Sequence, residues 1–137
     1  MTQRTYLVTG ASKGIGRALC EHLAQAGHTV VGIARNADDP DFPGTLVALD
    51  LADRERSAQV LKELSERFAF DGLVNNVGLV RPQALGEIDL DAFDDVMRVN
   101  LHSALQATQA LLPGMRSRGW GRVVNISSLT VRGITQR

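Results

Sequence analysis

Short apolar runs alternate with segments of helical period along this chain. Thr5-Tyr6-Leu7-Val8 is a compact run stopped by Gly10. Residues 14–26 then place Ile15, Leu19, Leu23 and Ala26 at helical spacing, with Gly27 as a terminator. Residues 29–33 are β-branched around Gly32 and read as a strand buried on both faces. A polar stretch with Asp38, Asp39, Pro40, Asp41 and Pro43 precedes a third strand at 46–49. Asp53 is placed to cap a helix whose buried stripe is Val60, Leu61, Leu64 and Phe68. A fourth strand, Gly72-Leu73-Val74, runs into Asn75-Asn76, and residues 77–87 read as a loop. The spacing predicts a long helix over 91–112, with Phe93, Val96, Met97, Leu101, Ala104, Leu105 and Leu112 inward and Pro113-Gly114 ending it. Residues 122–126 form a fifth strand opening onto Ser127-Ser128, and residues 129–137 show no pattern.

Strands alternating with helices predict βαβ units, an α/β chain built on a doubly wound parallel sheet. At 137 residues the chain has the length of one domain, or a piece of one. Its 44% hydrophobic and 22% charged residues fit a globular protein. Fifteen basic residues balance fifteen acidic ones, so the surplus that drives phosphate-backbone binding is missing. That points away from nucleic acid. No apolar run reaches the ~20 residues of a spanning helix, which points away from a membrane. The N-terminus has no signal-peptide layout, and the single cysteine, Cys20, has no partner for a disulfide. The expectation is a reducing, cytoplasmic setting. His22, His28 and His102 lack metal-ligand spacing, so no metal site is expected. Trp120 is expected to cover an edge of the core.

The chemistry concentrates where strands end. Thr9-Gly10-Ala11-Ser12-Lys13-Gly14-Ile15-Gly16 lies between the first strand and the first helix. A tight turn, close approach to a pyrophosphate and close helix–strand packing all call for glycine there. The N–H groups and dipole of a helix start favour an anion. The spacing is G-x-x-x-G-x-G rather than the commoner G-x-G-x-x-G. Gly10, Ser12, Lys13, Gly14, Ile15 and Gly16 are therefore candidate cofactor contacts. At the end of the second strand, where a carboxylate would hold a ribose 2′-hydroxyl, the chain has Ala34-Arg35. Arg35 and Lys13 suit a 2′-phosphate instead, which favours NADP over NAD.

These motifs, with Asp50-Leu51, Asn75-Asn76-Val77-Gly78, Asn100 and Asn125-Ile126-Ser127-Ser128 in this order, resemble the short-chain dehydrogenase/reductase family. The resemblance implies a Rossmann-type sheet. It implies that Asp50 and Leu51 contact adenine and that Asn76 and Gly78 lie along the cofactor. Asn100 would hold a water of a proton relay, and Ser128 would be the catalytic serine. Val77 stands where alanine is most common in the family. The family's acid, a tyrosine followed four residues later by a lysine, has no counterpart here, because the one tyrosine is Tyr6 and the lysines are Lys13 and Lys62. The chain is accordingly expected to be the N-terminal dinucleotide-binding part, residues 1–137, of a single Rossmann-type domain cut after the fifth strand. A trypsin-like nick or a shortened product would leave such an end, and an associated C-terminal fragment of the same protein is one expected partner.

The implied activity is NADPH-dependent hydride exchange with a carbonyl or alcohol, inactive in residues 1–137 alone. Compact loops and Val124-Asn125-Ile126-Ser127-Ser128 resemble the family's 3-oxoacyl-(acyl-carrier-protein) reductase branch. The substrate expected is a small-molecule or acyl-carrier-linked carbonyl. The long helix resembles the family's subunit-contact helix, so a homo-oligomer, a dimer or a homotetramer, is expected. The other reading is a non-catalytic nucleotide-binding or regulatory module, should 137 residues be the natural product.

Overall fold

The computed structural model describes residues 2–133. Five parallel strands form one sheet in the order β3-β2-β1-β4-β5: β1 Thr5–Thr9, β2 Thr29–Ala34, β3 Thr45–Ala48, β4 Gly72–Asn75 and β5 Arg122–Asn125. The expected α/β doubly wound sheet is therefore what forms. Alternation along the strands sorts side chains between two cores. Leu7, Val31, Ile33 and Leu73 face the layer made by α2 (Arg54–Arg67) and α4 (Ser103–Arg118). Val8, Val30 and Val74 face α1 (Gly14–Gln25), where they meet Cys20, Leu19 and Leu23. Order reverses between β1 and β4, so a crevice opens at the carboxyl ends of those strands.

Several local expectations are met for the expected reason. Asp53 caps α2 by accepting the Arg56 N–H, and Ser57, Val60, Leu61 and Leu64 form its buried stripe. Phe68 only partly joins that stripe, as a half-buried residue on its edge. Tyr6 is half-buried, its ring meeting His28 edge-on at 5.2 Å. Trp120 is half-buried too. The Arg4 guanidinium lies 3.3 Å from its ring centroid and that of Arg122 4.7 Å, joining the starts of β1 and β5.

The long helix departs most from the pattern. It begins at α3 (Leu90–Met97), capped by Asp89, and passes through a π turn at Arg98–His102 before α4. One extra residue in a turn rotates everything after it by about 100°. A continuous 3.6-residue reading therefore assigns the wrong face. Leu101 and Leu105 are 45% and 54% exposed, while Ser103, Ala107, Leu111 and Met115 point inward; Phe93, ahead of the turn, is 48% exposed because α3 buries none of its residues. Pro113 and Gly114 do not end the helix. Leu111 before Pro113 and Met115 after it are both buried, and that anchorage outweighs one lost backbone hydrogen bond. The helix stops at Gly119, φ 72°, a left-handed conformation that glycine adopts without a Cβ clash. Ile15, expected on the apolar face of α1, is 67% exposed, because that helix packs through Gly16 and Cys20.

Among the described residues β5 pairs only with β4, and all its residues are exposed, Val124 by 47%. A short turn at Leu129–Arg132 follows, so part of the stretch read as patternless is ordered; residues 134–137 lie outside the described residues. A bare, apolar edge is a template for strand addition. Residues 1–137 expressed alone are expected to self-associate, and Val124→Lys should reduce this in light scattering. A monodisperse monomer from the unaltered chain would contradict the expectation.

Candidate functional site

The loop between β1 and α1 is set by a close approach. A Cβ on Gly16 would sit 2.1 Å from the Gly10 carbonyl oxygen, so only glycine lets α1 begin against the end of β1. Gly10 itself turns with φ 64°, and Gly14 follows with φ 59°. The end of β4 locks this turn. The Asn76 amide donates to the Gly10 carbonyl at 3.1 Å, and the Thr9 hydroxyl accepts the N–H groups of Asn76 and Val77 at 3.0 and 3.2 Å. Asn76 is thus a clamp between two loops.

A cleft of about 570 Å³ opens above this clamp. Gly10, Ser12, Lys13, Gly14 and Ile15 form one side, and Arg35, Asp50 and Leu51 another. Asn76 and Gly78 lie between, so nearly all of the candidate cofactor contacts meet at one place. Gly16, behind the turn, serves by its closeness to Gly10 instead. Lys13 and Arg35 are exposed, and neither makes an ion pair among the described residues. Asp50 accepts the Ala52 N–H at 3.0 Å, so it shapes a turn as well as lining the cleft. Leu51 is 5% exposed and shares the core beneath.

Asn100 occupies the π turn. Its side-chain oxygen accepts the Leu79 N–H at 2.6 Å, and its amide donates to the Leu79 carbonyl at 2.9 Å. Both ends of the amide hold the loop after β4, and each keeps one further hydrogen-bonding position. Ser128 is exposed beyond β5, its oxygen accepting the Thr130 N–H at 3.2 Å, which leaves its own O–H free to donate. Under the serines, Asn75 ends β4 and donates to Asn125 at 2.9 Å and to Thr108 at 3.4 Å. Three elements meet in that one amide.

Sequence reasoning missed part of the rim. Arg81 and Asp95, paired at 3.1 Å, line the cleft, as do Leu79 and Val99. Contacts of the 77–89 loop with α3 and with the π turn bring them there, and no local pattern marks them. No reactive thiol adds to the site. Cys20 is fully buried on the inner face of α1, and that burial pushes its pKa up to about 11.

Residues 4–134 match the short chain dehydrogenase family. The chain belongs to that family. It is 36% identical over 131 residues to the 3-oxoacyl-(acyl-carrier-protein) reductase of Vibrio cholerae, covering 90% of this chain and 54% of that one. It is 40% identical over 132 residues to the L-xylulose reductase of Mesocricetus auratus, covering 91% and 53%. A solved structure from Beutenbergia cavernae, assigned as an NAD(P) dependent gluconate 5-dehydrogenase with bound NADP at low occupancy, superposes with a TM-score of 0.87. It is 36% identical, with 94% of this chain and 55% of that one covered. The chain thus spans about half the length of the curated relatives it matches.

Because the folded state disfavours the thiolate, Cys20 contributes to stability fully below the thiol's unperturbed value near 9.0, and loses that contribution as pH rises towards about 11. A disulfide reagent at neutral pH should therefore label Cys20 only on unfolding. Rapid labelling of the native chain would contradict the buried placement.

Proposed function

We propose that the protein carrying this chain is an NADP-dependent oxidoreductase that exchanges hydride between NADPH and a carbonyl or alcohol. The carrying observation is a pair of cations, Lys13 and Arg35, without an ion-pair partner among the described residues, at a cleft floored by the glycine turn, with Ala34-Arg35 where an acid would favour NAD. The chain fits such a cofactor by its own geometry. A Cβ built on Gly14 meets nothing within 4 Å, so the space before the helix N-terminus is open, and the turn's φ values suit backbone approach. Gly10, Ser12, Gly14, Ile15 and Gly16 would form the pyrophosphate turn, Asp50 and Leu51 the adenine wall, and Asn76 and Gly78 the side along the cofactor. Bound there, the cofactor supplies hydride.

The remaining roles fall to this chain's side chains. Ser128 would donate its free O–H to the substrate oxygen as negative charge grows there. Asn100 holds the loop beside the cleft and has hydrogen-bonding positions left for a water. The alkoxide needs a proton from a group of suitable pKa. Tyr6, the only tyrosine here, pairs with the Gly72 end of β4, opposite the cleft. We assign the donor to a part of the protein outside these 137 residues. A 3-oxoacyl-(acyl-carrier-protein) substrate is the favoured choice, supported by the Vibrio cholerae relative, and the outward apolar stripe of Phe93, Leu101 and Leu105 supports a homo-oligomer.

The full gene product is expected to bind and use NADPH in preference to NADH, and Arg35→Asp should move that preference towards NADH. Equal use of both by the unaltered protein would remove the NADP assignment. Ser128→Ala should lower kcat by about 10²-fold with NADPH binding little changed, and Ser127→Ala should do much less. Comparable losses from the two would displace Ser128 from its role.

A further inference from the structure

We infer that Arg17 is a positioning residue for the phosphate end of the cleft, holding the segment after β2 and occupying the Asp39 carboxylate so that it does not compete with an anionic ligand for Arg35 and Lys13. The inference rests on the NADPH reading above. Arg17 lies in the first turn of α1, its N–H bonded to the Lys13 carbonyl at 3.3 Å. Its guanidinium is shared among three partners. It donates to Glu21 at 3.0 Å, to Asp39, and to the Asp41 carbonyl at 3.0 Å. The guanidinium carbon also lies 5.4 Å from the Phe42 ring centroid. A planar fork of five N–H donors can span such a set, and the point charge of a lysine cannot.

Phe42 fixes the other end of the segment. It is 8% exposed and packs over Gly32 in β2, where a Cβ would meet the Phe42 ring at 2.5 Å. The stretch from Asp39 to Phe42 is therefore pinned between α1 and β2. Inside it, Asp39 also accepts the Asp41 N–H at 3.1 Å, so one carboxylate joins the helix to the turn.

The electrostatics give this brace a consequence. Asp38, Asp39 and Asp41 follow Arg35 within six residues, so acidic charge directly succeeds the cation proposed to meet a 2′-phosphate. Two residues lie between Arg35 and Asp38, three backbone steps or at most ~11 Å of chain, which is comparable to a Debye length of ~8–10 Å. Carboxylates at that range weaken anion binding unless they are compensated. Arg17 compensates Asp39, while Arg35 and Lys13 have no ion-pair partner among the described residues. The Arg17 and Asp39 side chains are 20% and 27% exposed, so the pair is partly screened and its effect is a matter of a few-fold.

Calorimetric titration of the full gene product with adenosine 2′,5′-bisphosphate and with 5′-AMP tests this. The unaltered protein should prefer the bisphosphate. Arg17→Gln should weaken the bisphosphate by roughly three- to ten-fold and 5′-AMP by less than about two-fold. Asp39→Asn added to that variant should restore most of the bisphosphate affinity, because the uncompensated charge is gone. Asp39→Asn alone, which keeps Arg17, should bind the bisphosphate at least as tightly as the unaltered protein, and this holds the test open if Arg17→Gln does not fold. Equal weakening of both probes by Arg17→Gln, no rescue by Asp39→Asn, or weaker bisphosphate binding by Asp39→Asn alone would each overturn the assignment. An unaltered protein that does not distinguish the probes would overturn the NADPH reading itself, and this inference with it.

Discussion

The site depends on how closely α1 can start against β1. The Gly10 carbonyl lies where a Cβ of residue 16 would be, so a single methyl at that position pushes the helix from the sheet. That contact brings the helix N-terminus to the crevice between β1 and β4, and the Asn76 amide closes the same carbonyl from the other side. One oxygen thus registers a helix, a turn and a strand end. The cleft, its cations and its adenine wall take their positions from that register. Removing Gly16 would disturb all of them together, whereas removing Lys13 or Arg35 would alter only the charge at one end.

The sheet was legible because its signals are local. Leu7 and Val8, or Leu73 and Val74, point to opposite faces by the period of a strand, and no distant contact is needed to see it. The glycine turn was legible for the same reason, since strand, turn and helix adjoin in sequence. The second half of the chain was harder. A π turn is a shift of phase, and nothing in Arg98-Val99-Asn100-Leu101-His102 announces it except an asparagine in mid-helix, whose side chain proves to be spent on Leu79. Helix termination was misread at Pro113 because propensity is a weak prior against two buried anchors. The Arg81–Asp95 pair was invisible, being the product of a loop folding back on a helix.

Polar groups are distributed unevenly about the sheet. Near the cleft they are mostly committed to backbone partners: Thr9 to two N–H groups, Asn76 to Gly10, Asn100 to Leu79. Such commitments hold loops rigid without occupying the cleft. The groups without a partner among the described residues, Lys13, Arg35 and the Ser128 O–H, are exposed. A scaffold that satisfies its own backbone and exposes a few uncommitted charges is preorganised for an anionic ligand, because little of the backbone has to move when the ligand arrives.

The only tryptophan sits between two arginines at the amino ends of β1 and β5, the end of the sheet opposite the cleft. Its indole emission therefore senses whether the outermost strand is docked, and it is a poor sensor of what enters the crevice. Fluorescence and far-ultraviolet circular dichroism consequently sample different parts of the chain during denaturation. If β5 peels away before the central strands melt, the two curves separate, and a midpoint taken from the tryptophan signal describes the margin of the sheet rather than its interior.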